Sequence, residues 1–247
     1  MNINTYLDST YLKTASQAAV SEIENTAINK KYIQEAIDCN FKLIMIRPEY
    51  VSMAHSMILE SKSTVLIGTV VDFPTGKNAL YFKLNQAKKA IEDGANELDF
   101  VVNYHAFKKG DIELVKNEVI TCTQLVLENN KVAKWIIEVA ALYDPQIIGL
   151  SSLIKNCVLS NFKENQHSKV FVKSSTGFYK TQNKLPNGPS IHSIQLMLEN
   201  AFPLSVKAAG GIRNHQEALE MIKLGVKRIG TSAAKLISQG SASHHDY

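Results

Sequence analysis

Two lysines end short apolar runs, and each is followed at once by small residues and glycine. The runs read Val170-Phe171-Val172-Lys173-Ser174-Ser175-Thr176-Gly177 and Leu204-Ser205-Val206-Lys207-Ala208-Ala209-Gly210-Gly211. At the end of a buried strand, desolvation opposes the ammonium form, and a second cation nearby opposes it further. Both effects favour the neutral amine, which is a nucleophile toward carbonyl carbon. At ~5 Å and an effective dielectric of ~20, two ammonium groups repel by about 3 kcal/mol. That lowers one of them by about two units from a starting value near ~10.4. A lysine that merely snorkels out of a rim is the plain alternative; two lysines in parallel settings argue against it. The glycines that follow let backbone N–H groups approach an anion. The pattern points to amine catalysis on a phosphorylated carbonyl compound.

Anion binding and acid–base chemistry have their own candidates. Gly210-Gly211-Ile212-Arg213 and Gly230-Thr231-Ser232-Ala233 each offer backbone donors just after an apolar run, with helix starts expected near Asn214 and after Ser232. Ser232 adds a hydroxyl. Asp99 lies in Glu97-Leu98-Asp99-Phe100-Val101-Val102, and an acid at an inward strand position needs a cationic partner. With Lys207 it could relay a proton; a structural ion pair fits the spacing equally well. Asp8 and Glu138 also fall inside apolar runs, where structural pairing ranks ahead of direct chemistry.

These residues need a scaffold, and a short apolar run followed by a helical stretch recurs along the chain. Strands are expected at Tyr6-Leu7, Leu43 to Ile46, Val65 to Val71, Glu97 to Val102, Lys134 to Val139, Lys169 to Val172, Leu204 to Val206 and Arg228 to Gly230. Helical spacing appears in Ala87-Ala90-Ile91 before Gly94, in Leu114-Val115-Val119, in Ile191-Ile194-Met197, and in Ala218-Leu219-Ile222 before Gly225. Near-continuous apolar strands alternating with helices belong to a parallel sheet covered on both faces. No Gly-x-Gly-x-x-Gly follows any strand, which disfavours an open dinucleotide-binding sheet. The expectation is an α/β fold, a (β/α)8 TIM barrel in a single domain over residues 1–237, with a mobile tail over 238–247. In such a barrel the chemistry sits at the carboxyl ends of the strands, where Lys173 and Lys207 fall.

Composition removes other classes. The net charge is +4, with basic residues scattered and no basic stripe interleaved with aromatics, so nucleic acid is not an expected partner. No apolar run approaches the ~18 residues of a membrane span, and Met1-Asn2-Ile3-Asn4-Thr5 shows no secretory leader. Cys39, Cys122 and Cys157 are odd in number and far apart, as in a reducing, cytoplasmic setting. Thr75-Gly76-Lys77-Asn78 lacks the earlier glycine and the Ser or Thr of a nucleotide loop. The histidines show no metal spacing, including His244-His245 in the tail, and no Gly-x-Ser-x-Gly elbow occurs.

Taken together, Leu7-Asp8-Ser9-Thr10, Glu97-Leu98-Asp99-Phe100-Val101-Val102-Asn103, Lys173-Ser174-Ser175-Thr176-Gly177-Phe178, Val206-Lys207-Ala208-Ala209-Gly210-Gly211-Ile212-Arg213 and Arg228-Ile229-Gly230-Thr231-Ser232 resemble the deoxyribose-phosphate aldolase family over nearly the whole chain. The resemblance implies a Schiff-base aldolase on a (β/α)8 barrel, cleaving 2-deoxy-D-ribose 5-phosphate into D-glyceraldehyde 3-phosphate and acetaldehyde. It implies Lys173 as the imine-forming lysine, and Lys207 with Asp99 as the activating and proton-shuttling pair. Gly177, Gly210, Gly211, Gly230 and Ser232 would bind phosphate. No metal or organic cofactor is implied, because the imine is the electron sink. Ser9, Met45 and Ala233 depart from residues common in relatives, and Tyr247 resembles a terminal tyrosine that assists proton transfer. Another imine-forming barrel aldolase, or a phosphosugar-binding barrel without chemistry, stays open at this point. A homodimer is one of the assemblies that stay open.

Overall fold

The computed structural model describes residues 2–182 and 186–240. Eight parallel strands among them close into a barrel in chain order: Leu7–Tyr11 (β1), Leu43–Ile46 (β2), Leu66–Val71 (β3), Glu97–Val101 (β4), Val132–Ile136 (β5), Val170–Lys173 (β6), Ser205–Ala209 (β7) and Arg228–Thr231 (β8). β8 pairs back onto β1 through Leu7 and Ile229. This is the expected (β/α)8 TIM barrel. Among the described residues, no helix is long and apolar enough to cross a membrane.

The helices between strands start and stop where local chemistry directs. Asn214 accepts from Glu217 N to open the helix His215–Leu224, and Gly225 at φ 117° closes it in the left-handed region. Ser21 and Glu24 form a reciprocal capping box on Glu22–Asp38. Apolar side chains on the outward face of the strands fill the layer beneath these helices. Phe100 stacks on Trp135 with ring centroids 5.0 Å apart, and Trp135 Nε1 donates to Thr123 Oγ1 at 3.0 Å. Truncating such a buried indole costs roughly 3–5 kcal/mol. That packing holds β4 and β5 rigidly, with their inward side chains committed to the barrel interior.

The interior has two unlike halves. Leu12, Leu43, Met45 and Val70 form a small apolar cluster beside β2 and β3. Charged side chains from β1 and from β4 to β8 fill the rest. Three boundaries depart most from expectation, among them β7, which was expected to end at Val206 but runs to Ala209 with Lys207 inside it. Expected at Tyr6-Leu7, the first strand runs from Leu7 to Tyr11, because Asp8 is satisfied inside the charged half rather than in solvent. The fifth strand, expected from Lys134 to Val139, ends at Ile136. Glu138 therefore lies beyond it, at φ 59° and ψ 68°, opening the short turn Val139–Ala141.

Candidate active site

Register brings the reactive groups together. Lys173 at the end of β6 is the direct neighbour of Lys207 on β7, and Asp99 on β4 stands beside Lys134 on β5. Both expected lysines reach one oxygen: Lys173 Nζ lies 2.8 Å and Lys207 Nζ 2.9 Å from Asp99 Oδ2. Lys134 Nζ donates to Asp99 Oδ1 at 2.8 Å and pairs with Glu97 Oε2 at 2.5 Å. Lys207 also pairs with Asp8 Oδ2 at 2.6 Å. Arg228 donates from Nε to Asp8 Oδ1 at 2.7 Å and from Nη1 to Glu97 Oε1 at 3.0 Å. All seven side chains are buried.

Among these seven side chains the charges balance when one amine is neutral. Asp8, Glu97 and Asp99 carry negative charge, and Lys134, Lys207 and Arg228 match them one for one. A proton on Lys173 adds an unmatched positive charge to a dry interior, which is unfavourable. Burial first, then Lys207 and Lys134, pull Lys173 down to about 8 against the attraction of Asp99. Burial resists ionisation of Asp99, yet Lys134, Lys173 and Lys207 outweigh it and hold the carboxyl well below its usual range. Asp8 is held low against burial by Arg228, Lys207 and Lys134. Lys134 itself is raised, because Asp99, Glu97 and Asp8 overcome its burial.

Above this floor opens a cavity of about 610 Å³, lined by Lys173 together with Gly177, Gly210, Gly211, Gly230 and Ser232. The structure thus joins all five expected anion-binding residues to the expected nucleophile. Lys207, Asp99 and Asp8 do not line the cavity; they support Lys173 from beneath. Gly230 has a reason beyond its backbone: a Cβ there would fall 3.1 Å from Lys207 Cε and 2.9 Å from Ala209 Cβ. Thr10, Lys13, Tyr32 and Arg213 also line the cavity.

Glu138 is not an inward strand residue as expected. It accepts from the Thr176 N–H at 3.3 Å and from the Thr176 hydroxyl, fixing the loop after β6. Burial raises its carboxyl to about 7, against those two hydrogen bonds and Lys173. Tyr247 and His244-His245 lie outside the described residues. Lys134, Glu97 and Arg228 were not expected at the site, although a lysine inside Val132-Ala133-Lys134-Trp135-Ile136 and an arginine opening β8 carried the signal. Another buried cation, Lys83, pairs with Glu118 and with Asp72 Oδ2, and donates to Val101 O at 2.8 Å and to Gly76 O at 3.1 Å. It pins the loop containing Thr75-Gly76-Lys77-Asn78, which explains that lookalike as structure. Among the described residues, no group of three His, Cys, Asp or Glu side chains is placed to hold a metal ion.

A closed β/α barrel with a buried lysine at the floor of a glycine-rimmed cavity is the arrangement expected of a class I barrel aldolase. Relatives agree. The chain is 35% identical to the deoxyribose-phosphate aldolase of Lactococcus lactis subsp. lactis over 100% of both chains. It is 35% identical to that of Thermococcus kodakarensis, over 85% of this chain and 88% of the relative. No family model matches the chain. Among solved structures, the deoxyribose phosphate aldolase of Aeropyrum pernix superposes with a TM-score of 0.77 at 26% identity, covering 96% of this chain and 89% of that one. An aldolase named QR15 superposes with a TM-score of 0.80 at 28% identity, over 97% and 95%. This chain belongs to the deoxyribose-phosphate aldolase family.

Proposed function

We propose that this chain reversibly cleaves 2-deoxy-D-ribose 5-phosphate to D-glyceraldehyde 3-phosphate and acetaldehyde through an imine on Lys173. The observation that carries the reading is Lys173 itself, a buried amine beside a second lysine and among the residues lining the glycine-rimmed cavity. Its neutral amine attacks the open-chain aldehyde carbon, and loss of water gives a protonated imine. The imine draws the electrons of the C2–C3 bond as the C3 hydroxyl gives up its proton, releasing D-glyceraldehyde 3-phosphate. The remaining enamine takes a proton at carbon, and hydrolysis frees acetaldehyde and the amine.

In this reading Lys207 and Asp99 keep Lys173 poised and pass protons through water, with Asp8 holding Lys207. Glu138 supports the loop of Thr176, and Tyr247 assists protonation of the enamine. Gly177, Gly210, Gly211, Gly230 and Ser232 hold the phosphate. The chemistry is complete without a metal or organic cofactor, because the imine is the electron sink. Free cysteines at 39, 122 and 157 support a cytoplasmic setting. Assembly as a homodimer belongs to the proposal; the Aeropyrum pernix relative is described as tetrameric, and sedimentation separates the two states.

The test is incubation with acetaldehyde, borohydride reduction and mapping of the adduct, alongside cleavage assays on 2-deoxyribose 5-phosphate and ribose 5-phosphate. The expected outcome is a label on Lys173 and strong preference for the deoxy sugar. A label elsewhere, or none, removes the mechanism; preference for ribose 5-phosphate moves the substrate.

A further inference from the structure

The rim of the cavity is assembled from three chain segments that touch backbone to backbone. Gly177 follows β6, Gly210 follows β7, and Gly188 lies on the segment leading into the helix Ile191–Ala201. A Cβ placed on Gly188 would fall 1.9 Å from Gly210 O and 2.6 Å from Gly210 C. No side-chain adjustment relieves that contact, because the obstacle is main chain. From the other side, a Cβ on Gly210 would meet Gly188 Cα at 3.1 Å, and one on Gly177 would meet Gly210 Cα at 3.7 Å. The neighbouring Asn187 adds polar ties. Its Nδ2 donates to Gly177 O at 3.0 Å and to Tyr179 O at 3.4 Å. Ser174 staples the same two loops from below, donating to Ala209 O and accepting from Ala209 N, both at 3.0 Å.

From this geometry we infer that Asn187 and Gly188 form a fixed strap that sets the width of the anion site, so both are positioning residues for the phosphate end of the substrate. The strap acts through Gly177 and Gly210, whose backbones it holds in contact. Their N–H groups serve an anion only while the separation between the two loops is kept. The effect is confined to the phosphate end, because Lys173 is fixed by Asp99 and by the β6–β7 register rather than by the strap. This inference rests on the proposed phosphosugar reading.

The test compares wild type with Gly188→Ala and Asn187→Ala in four assays: cleavage of 2-deoxyribose 5-phosphate, cleavage of unphosphorylated 2-deoxyribose, inhibition by inorganic phosphate, and borohydride trapping of acetaldehyde. Gly188→Ala should raise KM for the phosphorylated sugar and weaken phosphate inhibition by about tenfold or more, the loss of one good anion hydrogen bond. Cleavage of the unphosphorylated sugar and trapping at Lys173 should be unchanged. Asn187→Ala introduces no clash and should move the same two readouts in the same direction, by about threefold or more. It decides the matter if Gly188→Ala does not fold. Unchanged KM in a folded variant, or equal losses on both sugars, overturns the strap. Absence of any acetaldehyde adduct on wild-type Lys173 would instead overturn the functional reading beneath it.

Discussion

Replacing Lys207 by methionine should displace the acid limb of the pH–rate profile without erasing activity at high pH. Lys173 and Lys207 each lie within 2.9 Å of Asp99 Oδ2, so their amines are at most about 5–6 Å apart. At an effective dielectric of ~20, two positive charges at that distance repel by about 3 kcal/mol, equivalent to about two pKa units. Lys173 starts at about 8. Without Lys207 it moves up toward ~10 at most, because burial, the larger cause of its depression, persists. At pH 7.5 the neutral fraction then falls from roughly a quarter to about 0.3%, an approximately 75-fold loss in kcat/KM. Measured from pH 6 to pH 10, the variant should recover more than tenfold relative to wild type as pH rises. Removing one partner of a buried pair destabilises by roughly 3–5 kcal/mol, so the thermal midpoint must show that the variant is folded over this range. An acid limb still near 8, with the rate lowered equally at every pH, would refute the repulsion argument and leave Lys207 a proton carrier only.

Two further outcomes follow from the same geometry. Gly230→Ala places a methyl 3.1 Å from Lys207 Cε, so it should cut turnover about tenfold by displacing that side chain, at an overpacking cost of roughly 1–3 kcal/mol; unchanged kcat would contradict the contact. On the acid side, Asp8, Glu97 and Asp99 are all held below their ordinary values in the folded state. Their stabilisation is therefore complete above the unfolded carboxylate range and is lost as pH falls through the lower folded values. The urea midpoint should drop steeply between pH 5 and pH 3, and a flat midpoint there would show that the interior pairs contribute nothing.

The barrel and the lysine pair were legible because their signals are local. Each lysine stands next to its own glycine turn, and Gly94 and Gly225 end their helices in the left-handed region at φ 107° and φ 117°. What escaped is non-local. Lys134, Glu97 and Arg228 look like defects in apolar strands until register brings them against one another, and Glu97 alternates with Asp99 onto the same inner face. The helix Glu22–Asp38 escaped for a related reason: its buried face carries Asn25 and Asn29 beside Ile33 and Ala36. Asn25 earns its burial by bonding the hydroxyls of Tyr11 and Tyr50, at 2.8 and 3.2 Å. A polar residue with distant partners leaves no apolar periodicity to read. The apolar neighbours of Glu138 predict a strand, whereas β5 ends at Ile136 and Glu138 lies beyond it, accepting hydrogen bonds from Thr176.

The most direct measurement is the titration of one amine. In protein labelled at lysine nitrogen and carbon, the Lys173 side-chain signal, assigned by its loss in Lys173→Met, can be followed by heteronuclear NMR from pH 6 to pH 11. Burial, with Lys207 and Lys134 beside it, should bring that midpoint to about 8, well below the ordinary lysine value near ~10.4. A Lys173 that stays protonated until ~10.5 or above would contradict the account at its root.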